Sequence, residues 1–227
     1  MEENNNPINQ NFGVKVNYLA KTFLWMFLGL FATGFVAYLT YSSGALINMV
    51  QSNSFAVLAL LELVVVFVFS LLFRRLPSSV VAILYFAYAI LNGFTMSVIF
   101  VTFDMPSVLT VFFAAAVVFG VFAFLGYKTS FDLSKTGNIL NGVLFAGILV
   151  SFINLIIGSD IIAIGIDWLM LILFFGITAW DIQKIKRHHE NGAYDDDKIH
   201  IYCAMEIYLD FINIFIRLLS IFGKRNN

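Results

Sequence analysis

The chain has 227 residues, of which 60% are hydrophobic and only 12% charged, and its mean hydropathy is +0.89. A soluble domain carries about 25% charged residues, so this composition excludes one and specifies an integral membrane protein. A net charge of -1 offers no surface for nucleic acid, and 26 Phe with only three Pro fit long helices rather than a barrel's alternating segments of about ten residues.

In chain order, residues 1–17 read as a polar, Asn-rich, cytoplasmic N-terminal tail. The apolar run after it exceeds the 7 to 15 or so residues of a signal-peptide core. Runs of about 20 apolar residues then predict seven spans: Tyr18–Tyr41, Phe55–Phe73, Ser79–Phe103, Ser107–Tyr127, Asn138–Ile157, Ile161–Ile185 and Ile199–Phe222. Pro77, with Ser78 or Ser79 as a cap, separates the second span from the third. The segment Asp104-Met105-Pro106-Ser107 separates the third from the fourth in the same manner. The fold class is an all-α membrane protein, one seven-helix domain over residues 18–223 with a short tail at 224–227. The single Cys203 excludes an internal disulfide and makes a thiolate metal site untenable.

Basic residues fix an orientation. With the N-terminus cytoplasmic, the inner segments hold Lys15, Lys21, Arg74, Arg75, Lys128, Lys135, Lys184, Lys186, Arg187 and Lys198, which is ten of the 13 Lys and Arg. The loops Ser42–Ser54, Asp104–Pro106 and Gly158–Asp160 hold none. Seven spans put the C-terminal tail outside; Lys224 and Arg225 pull the other way and leave a six-span topology with a re-entrant last segment as the alternative.

The last span carries Glu206, Asp210, Asn213 and Arg217 at spacings of four, three and four. At about 100° per residue these fall in one narrow arc of a helix. An ionisable group at the bilayer centre costs at least about 2.5–3.5 kcal/mol, so this arc must face protein or water. Asp181 lies about 6 Å of helix rise before Ile185 at the end of the sixth span. In an antiparallel hairpin it can meet Asp210, provided the sixth helix ends a turn or two past Asp181. Two carboxylates within about 4–6 Å cannot both ionise cheaply, so such a pair shares a proton and responds to pH. Otherwise Asp181 is an interfacial residue solvated by the cytoplasm.

Glu62, in Leu60-Leu61-Glu62-Leu63-Val64, needs an interior partner or must be neutral. Arg74 and Arg75 close the second span on the side of Asp181, either as a latch over the carboxylates or as snorkelling anchors. Asp167 stands four turns from Asp181 on nearly the same face, as a second acidic station. His188-His189-Glu190 has no metal-binding spacing, and Asp195 to Asp197 lack the register of an EF-hand. No nucleotide-binding or hydrolase motif occurs, so the chain is not read as an enzyme. Gly29 with Gly34, and Gly142 with Gly147, are expected to serve close helix packing.

The string Glu206-Ile207-Tyr208-Leu209-Asp210-Phe211-Ile212-Asn213-Ile214-Phe215, followed by Leu218-Leu219 and Phe222-Gly223, resembles the C-terminal signature of the Bax inhibitor-1 family. Thr178-Ala179-Trp180-Asp181-Ile182-Gln183-Lys184-Ile185 and the segment Gly126 to Ser134 are similar to two further family segments. The resemblance implies a bundle with the last helix central and the other six around it. It also implies a calcium leak gated by protonation of Asp181 and Asp210, with an arginine latch and with Glu62 as the family's acidic residue in the second span. From Glu62, Arg74 stands one position farther than the resemblance implies, so the latch is Arg74 or Arg75.

Calcium is then the transported ion, held transiently at Asp181 and Asp210 with Glu62, Glu206, Asn213 and Asp167 as lining groups, and no other cofactor is expected. The expected surroundings are membrane lipid, calcium and protons in a bacterial plasma membrane; the residues specify no oligomeric state. Two other classes stay open: a regulatory protein that binds another membrane protein, such as a membrane protease or cell-death factor, through its inner loops, and a proton-coupled transporter, although no internal repeat favours the latter.

Overall fold

The computed structural model describes residues 7–52, 54–190 and 197–226. Among them the chain forms nine helices: α1 (Pro7–Ser42), α2 (Ala45–Gln51), α3 (Ser54–Leu72), α4 (Ser78–Met96), α5 (Ile99–Thr102), α6 (Met105–Lys128), α7 (Ser134–Ile157), α8 (Asp160–Glu190) and α9 (Asp197–Phe222). The first span's helix begins at Pro7, inside the stretch read as a tail, and residues 1–6 lie outside the described residues. The loop between the first two spans contains the short α2, and the third span is interrupted by a turn at Ser97 and Val98.

Five stretches are long and apolar enough to cross a membrane: Tyr18–Ser42, Ser78–Thr102, Met105–Lys128, Ser134–Ile157 and Asp160–His188. The second expected span is represented by the shorter apolar stretch Leu60–Leu72. The seventh, α9, is not among them; it is 26 residues long but carries Asp197, Lys198, Glu206, Asp210 and Arg217. Large apolar side chains stand exposed along the other helices, as with Phe31 on α1, Phe113 on α6 and Ile156 on α7. Surfaces of this kind are ones that lipid covers.

The chain divides into two compact units, one of residues 1–96 and 187–205, the other of 97–186 and 206–227. In the first, α4 packs on α1 and α3. Small residues allow the approach of α1 and α4: a Cβ on Gly29 would meet the Tyr85 hydroxyl, and one on Gly93 would stand 2.8 Å from the Thr33 carbonyl. Polar groups in this contact are satisfied across it, with the Tyr85 hydroxyl donating to Trp25 O at 2.8 Å and Thr33 Oγ1 to Ala89 O at 2.9 Å. At the start of α9 the Tyr202 ring stacks on Phe73, with centroids 3.9 Å apart.

In the second unit, Phe112 and Phe119 of α6 meet Phe211 edge-on at 5.4 and 5.7 Å. Gly126 lies against the Ala179 backbone, Gly137 against the Trp180 ring and Gly147 against Met170. Nothing lies within 4 Å of a Cβ built on Gly34 or Gly142, so the packing role expected of glycines holds for Gly29 and Gly147 and is corrected for those two.

Two sets of ties define the ends of this unit. At the basic end, Gln183 Nε2 donates to Phe131 O at 2.7 Å, Leu133 N to Gln183 Oε1 at 2.9 Å, and Lys186 Nζ to Tyr127 O at 3.1 Å. At the other end of α6 the C-terminal residues run along the segment before it. Asp104 N donates to Lys224 O at 3.0 Å and Asn226 N to Thr102 O at 2.9 Å, with Phe103 bridging Arg225. Therefore α9 leads from the basic end of this unit to the opposite end.

Candidate functional site

Helical spacing assembles the inner site within the second unit. On α8, Asp181 and Lys184 are three residues apart and one turn beyond Thr178; on α9, Glu206 and Asp210 are four apart, so each pair shares a face. Lys184 Nζ joins the two helices, lying 3.0 Å from Asp181 Oδ1 and 2.6 Å from Glu206 Oε1. Its ammonium also sits 4.9 Å from the centroid of the Trp180 ring. Asp181 and Asp210 are only 5% and 3% exposed. Asp210 lies within electrostatic range of Asp181, Glu206 and Lys184 and within hydrogen-bonding reach of Thr178, whose hydroxyl donates to Phe174 O at 2.8 Å. Its Oδ2 is buried with no hydrogen-bond partner among the described residues.

Asp181 and Asp210 thus belong to one electrostatic cluster, with α8 continuing to Glu190 and α9 starting at Asp197. The cation among these carboxylates is Lys184. Sequence reasoning counted that residue only as an inner positive charge; its i,i+3 spacing from Asp181 was the available signal.

A second cluster lies about 21 Å along α8 from Asp181. Asp167 accepts from Arg217 Nη1 at 2.6 Å and from Ser220 Oγ at 2.5 Å. Both carboxylate oxygens are thereby engaged, which gives Arg217 its partner and ties Asp167 to α9. Asn213, on the same stripe, donates from Nδ2 to Leu209 O at 2.8 Å, one turn back along its own helix.

The other expected residues lie in the first unit. Glu62 finds its interior partners on α4: Thr95 Oγ1 donates to Glu62 Oε1 at 2.6 Å, and the Asn92 side chain also bonds it. Neither partner is visible in the sequence, because each is an ordinary polar residue in an apolar helix. Arg74 and Arg75 stand exposed in the turn after α3, with Arg74 5.8 Å from the centroid of the Phe73 ring and its carbonyl 3.4 Å from Lys198 Nζ.

Among the described residues no group of three or more His, Cys, Asp or Glu is disposed to hold a metal ion. His188 is exposed, while the side chains of His189, Glu190 and Asp197, together with Asp195 and Asp196, lie outside the described residues.

Long apolar helices enclosing ionisable groups define a polytopic α-helical integral membrane protein. The family model described as inhibitor of apoptosis-promoting Bax1 matches residues 15–227, and the chain belongs to this Bax inhibitor-1 family. It is 35% identical over 214 residues to the inner membrane protein YbhL of Escherichia coli K12, covering 92% of each chain. It is also 34% identical over 211 residues to an uncharacterised protein of Deinococcus radiodurans, covering 92% of this chain and 91% of the relative. An uncharacterised membrane protein of Streptococcus pyogenes serotype M3 is 34% identical over 217 residues, with 92% and 93% covered.

Proposed function

We propose that this protein is a pH-sensitive calcium leak through the membrane, gated at the cluster of Asp181, Lys184, Glu206 and Asp210. The observation that carries this reading is one ammonium shared by acidic side chains of two helices, Asp181 and Glu206, with Asp210 within electrostatic range and with Asp181 and Asp210 buried. Structural packing alone has little use for so costly an arrangement, because ionised groups at membrane depth are expensive and concentrate on ion and proton pathways.

Calcium takes six to eight oxygen ligands. Carboxylate oxygens of Asp181 and Asp210 supply part of that set, with water supplying the rest and Glu206 as a lining group. Lys184 competes for the same oxygens, so the ion binds weakly, as conduction requires. Protonation of one carboxylate loosens its hold on Lys184 and alters how α8 and α9 are tied. The arginine latch belongs to the same reading, assigned by resemblance to Arg74 or Arg75, and alanine at each in turn separates the two.

The reading includes seven spans, with α3 and α9 crossing as well as the five apolar helices. No residue of α9 from Ile201 to Leu219 is exposed, which supports a last helix enclosed by the others. The pinning of the C-terminal residues opposite the Lys184 and Lys186 end supports a cytoplasmic N-terminus and an outer C-terminus under the positive-inside rule.

The test is calcium uptake into sealed vesicles containing the purified protein, at several pH values from roughly 6 to 8. Wild type should show a pH-dependent leak, and Asp210→Asn should flatten that dependence. Vesicles that stay tight to calcium at every pH would overturn the reading.

A further inference from the structure

A cavity of about 430 Å³ opens along the second unit, lined by residues of α6, the end of α9 and the C-terminal segment. Its volume is within the range of about 300–1,000 Å³ usual for small-molecule sites. Thr110, Ala114 and Val118, at intervals of four, line it along α6, where Thr110 and Ala114 are exposed. Leu218 and Phe222 line it from α9, and Phe222 is braced edge-on by Trp168 at 5.8 Å. Pro106 to Val118 spans about 18 Å of helix rise. One leaflet's share of a hydrocarbon core about 30 Å thick is about 15 Å, so the groove is as deep as one leaflet.

Its polarity is graded along that depth. Inward it is Val111, Ala114, Val118 and Leu218; at the helix-end mouth it is Asp104, Ser107 and Lys224. The mouth is built by hydrogen bonds. Ser107 N donates to Asp104 Oδ1 at 3.0 Å, Lys224 N donates to Ser107 Oγ at 2.9 Å, and Asp104 N donates to Lys224 O at 3.0 Å. The Asp104 carboxylate and the Lys224 backbone are therefore both held at the interfacial end of an apolar slot, and the Lys224 side chain is exposed there.

We propose that this groove is a binding site for one molecule of a zwitterionic phospholipid carrying a primary amine. An acyl chain lies along Val111, Ala114 and Val118, the phosphate meets Lys224, and the headgroup ammonium meets Asp104. Charge-assisted hydrogen bonds of this type are short and about twice as strong as neutral ones. A lipid whose headgroup bears only negative charge gains Lys224 but meets Asp104 with the wrong sign, so the mouth discriminates between the two classes.

The site is independent of calcium conduction, and its test needs no flux. Full-length protein in detergent is titrated with phosphatidylethanolamine or phosphatidylglycerol of matched chains and read by native mass spectrometry. One phosphatidylethanolamine should be retained in preference to phosphatidylglycerol. Ala114→Trp, which fills the slot from an exposed position, should weaken that binding about tenfold while leaving the thermal midpoint in place. Asp104→Asn keeps a good helix cap and should abolish the preference between the lipids without abolishing binding. Equal retention of both lipids by wild type, or retention unchanged by both Ala114→Trp and Val118→Trp, overturns the proposal. So does a lipid-free dimer that either tryptophan dissociates, which would make a second copy the occupant.

Discussion

Replacing Lys184 with Met removes one ammonium from between two acidic side chains and keeps a side chain of similar length against Trp180. Deleting one partner of a fully buried ion pair costs about 3–5 kcal/mol, since the remaining charge is left uncompensated. Side-chain exposure is 25% for Lys184, 19% for Glu206 and 7% for Asp181. Partial access of water to two of the three groups brings the expectation to the lower end, about 3 kcal/mol. For a chain of this size each kcal/mol moves the unfolding midpoint by about 2–4 °C, so the midpoint should fall by about 6–12 °C.

The measurement is thermal unfolding of the detergent-solubilised protein, followed by tryptophan fluorescence at fixed pH and salt. Adding Asp181→Asn to Lys184→Met removes an uncompensated charge and should return most of the loss, which makes the pair strongly non-additive. An unchanged midpoint in Lys184→Met, or a double variant whose loss is the sum of the two single losses, would refute the assignment of Lys184 as the cation that balances this cluster.

At the other cluster, Asp167→Asn and Arg217→Gln should each lower the midpoint, and the exchange Asp167→Arg with Arg217→Asp should regain part of the loss, as read by the same unfolding assay. Thr95→Val is nearly isosteric and removes the donor 2.6 Å from Glu62 Oε1, so it should cost about 1.5–3 kcal/mol and be neutral in a Glu62→Gln background only if Thr95 acts through the charge. Gly126→Ala drives a Cβ into the Ala179 backbone and should destabilise by about 1–3 kcal/mol. Gly142→Ala meets nothing within 4 Å and should be neutral or stabilising by up to about 1 kcal/mol. Deleting residues 224–227 removes the ties to Thr102 and Asp104 and should lower the midpoint, with protease access to that end in sealed vesicles found on the face opposite Lys186.

Membrane character, most span boundaries and the intramembrane carboxylates Asp181 and Asp210 were legible because each rests on a chemical contrast with the apolar background. A run of about 20 apolar residues or a carboxylate among leucines stands out at once. The partners did not stand out. Lys184 belongs to a basic helix end where lysines are expected, Thr95 and Asn92 are commonplace in helices, and Ser220 precedes a short apolar stretch. Each acquires meaning only from what faces it on another helix, and a single chain's periodicity gives the face without giving the neighbour. Glycine fails for the same reason: Gly29 and Gly34 look alike in sequence, yet only the first has a tyrosine against it.

Helix α9 shows why hydropathy and burial part company in a membrane protein. Hydropathy measures how well a segment tolerates lipid, so it recognises α7, where Gly137 and Gly147 are the buried residues and most of the others are exposed. It passes over α9, where no residue between Ile201 and Leu219 is exposed. For residues so little exposed, the limit on charge is set by the partners available. Asp167 pairs with Arg217 and also accepts from Ser220, and Lys184 pairs with Glu206. Asp210, between these two anchors, keeps one buried oxygen unbonded. The proposed gate thus has its buried carboxylate, Asp210, midway along this helix between the two clusters.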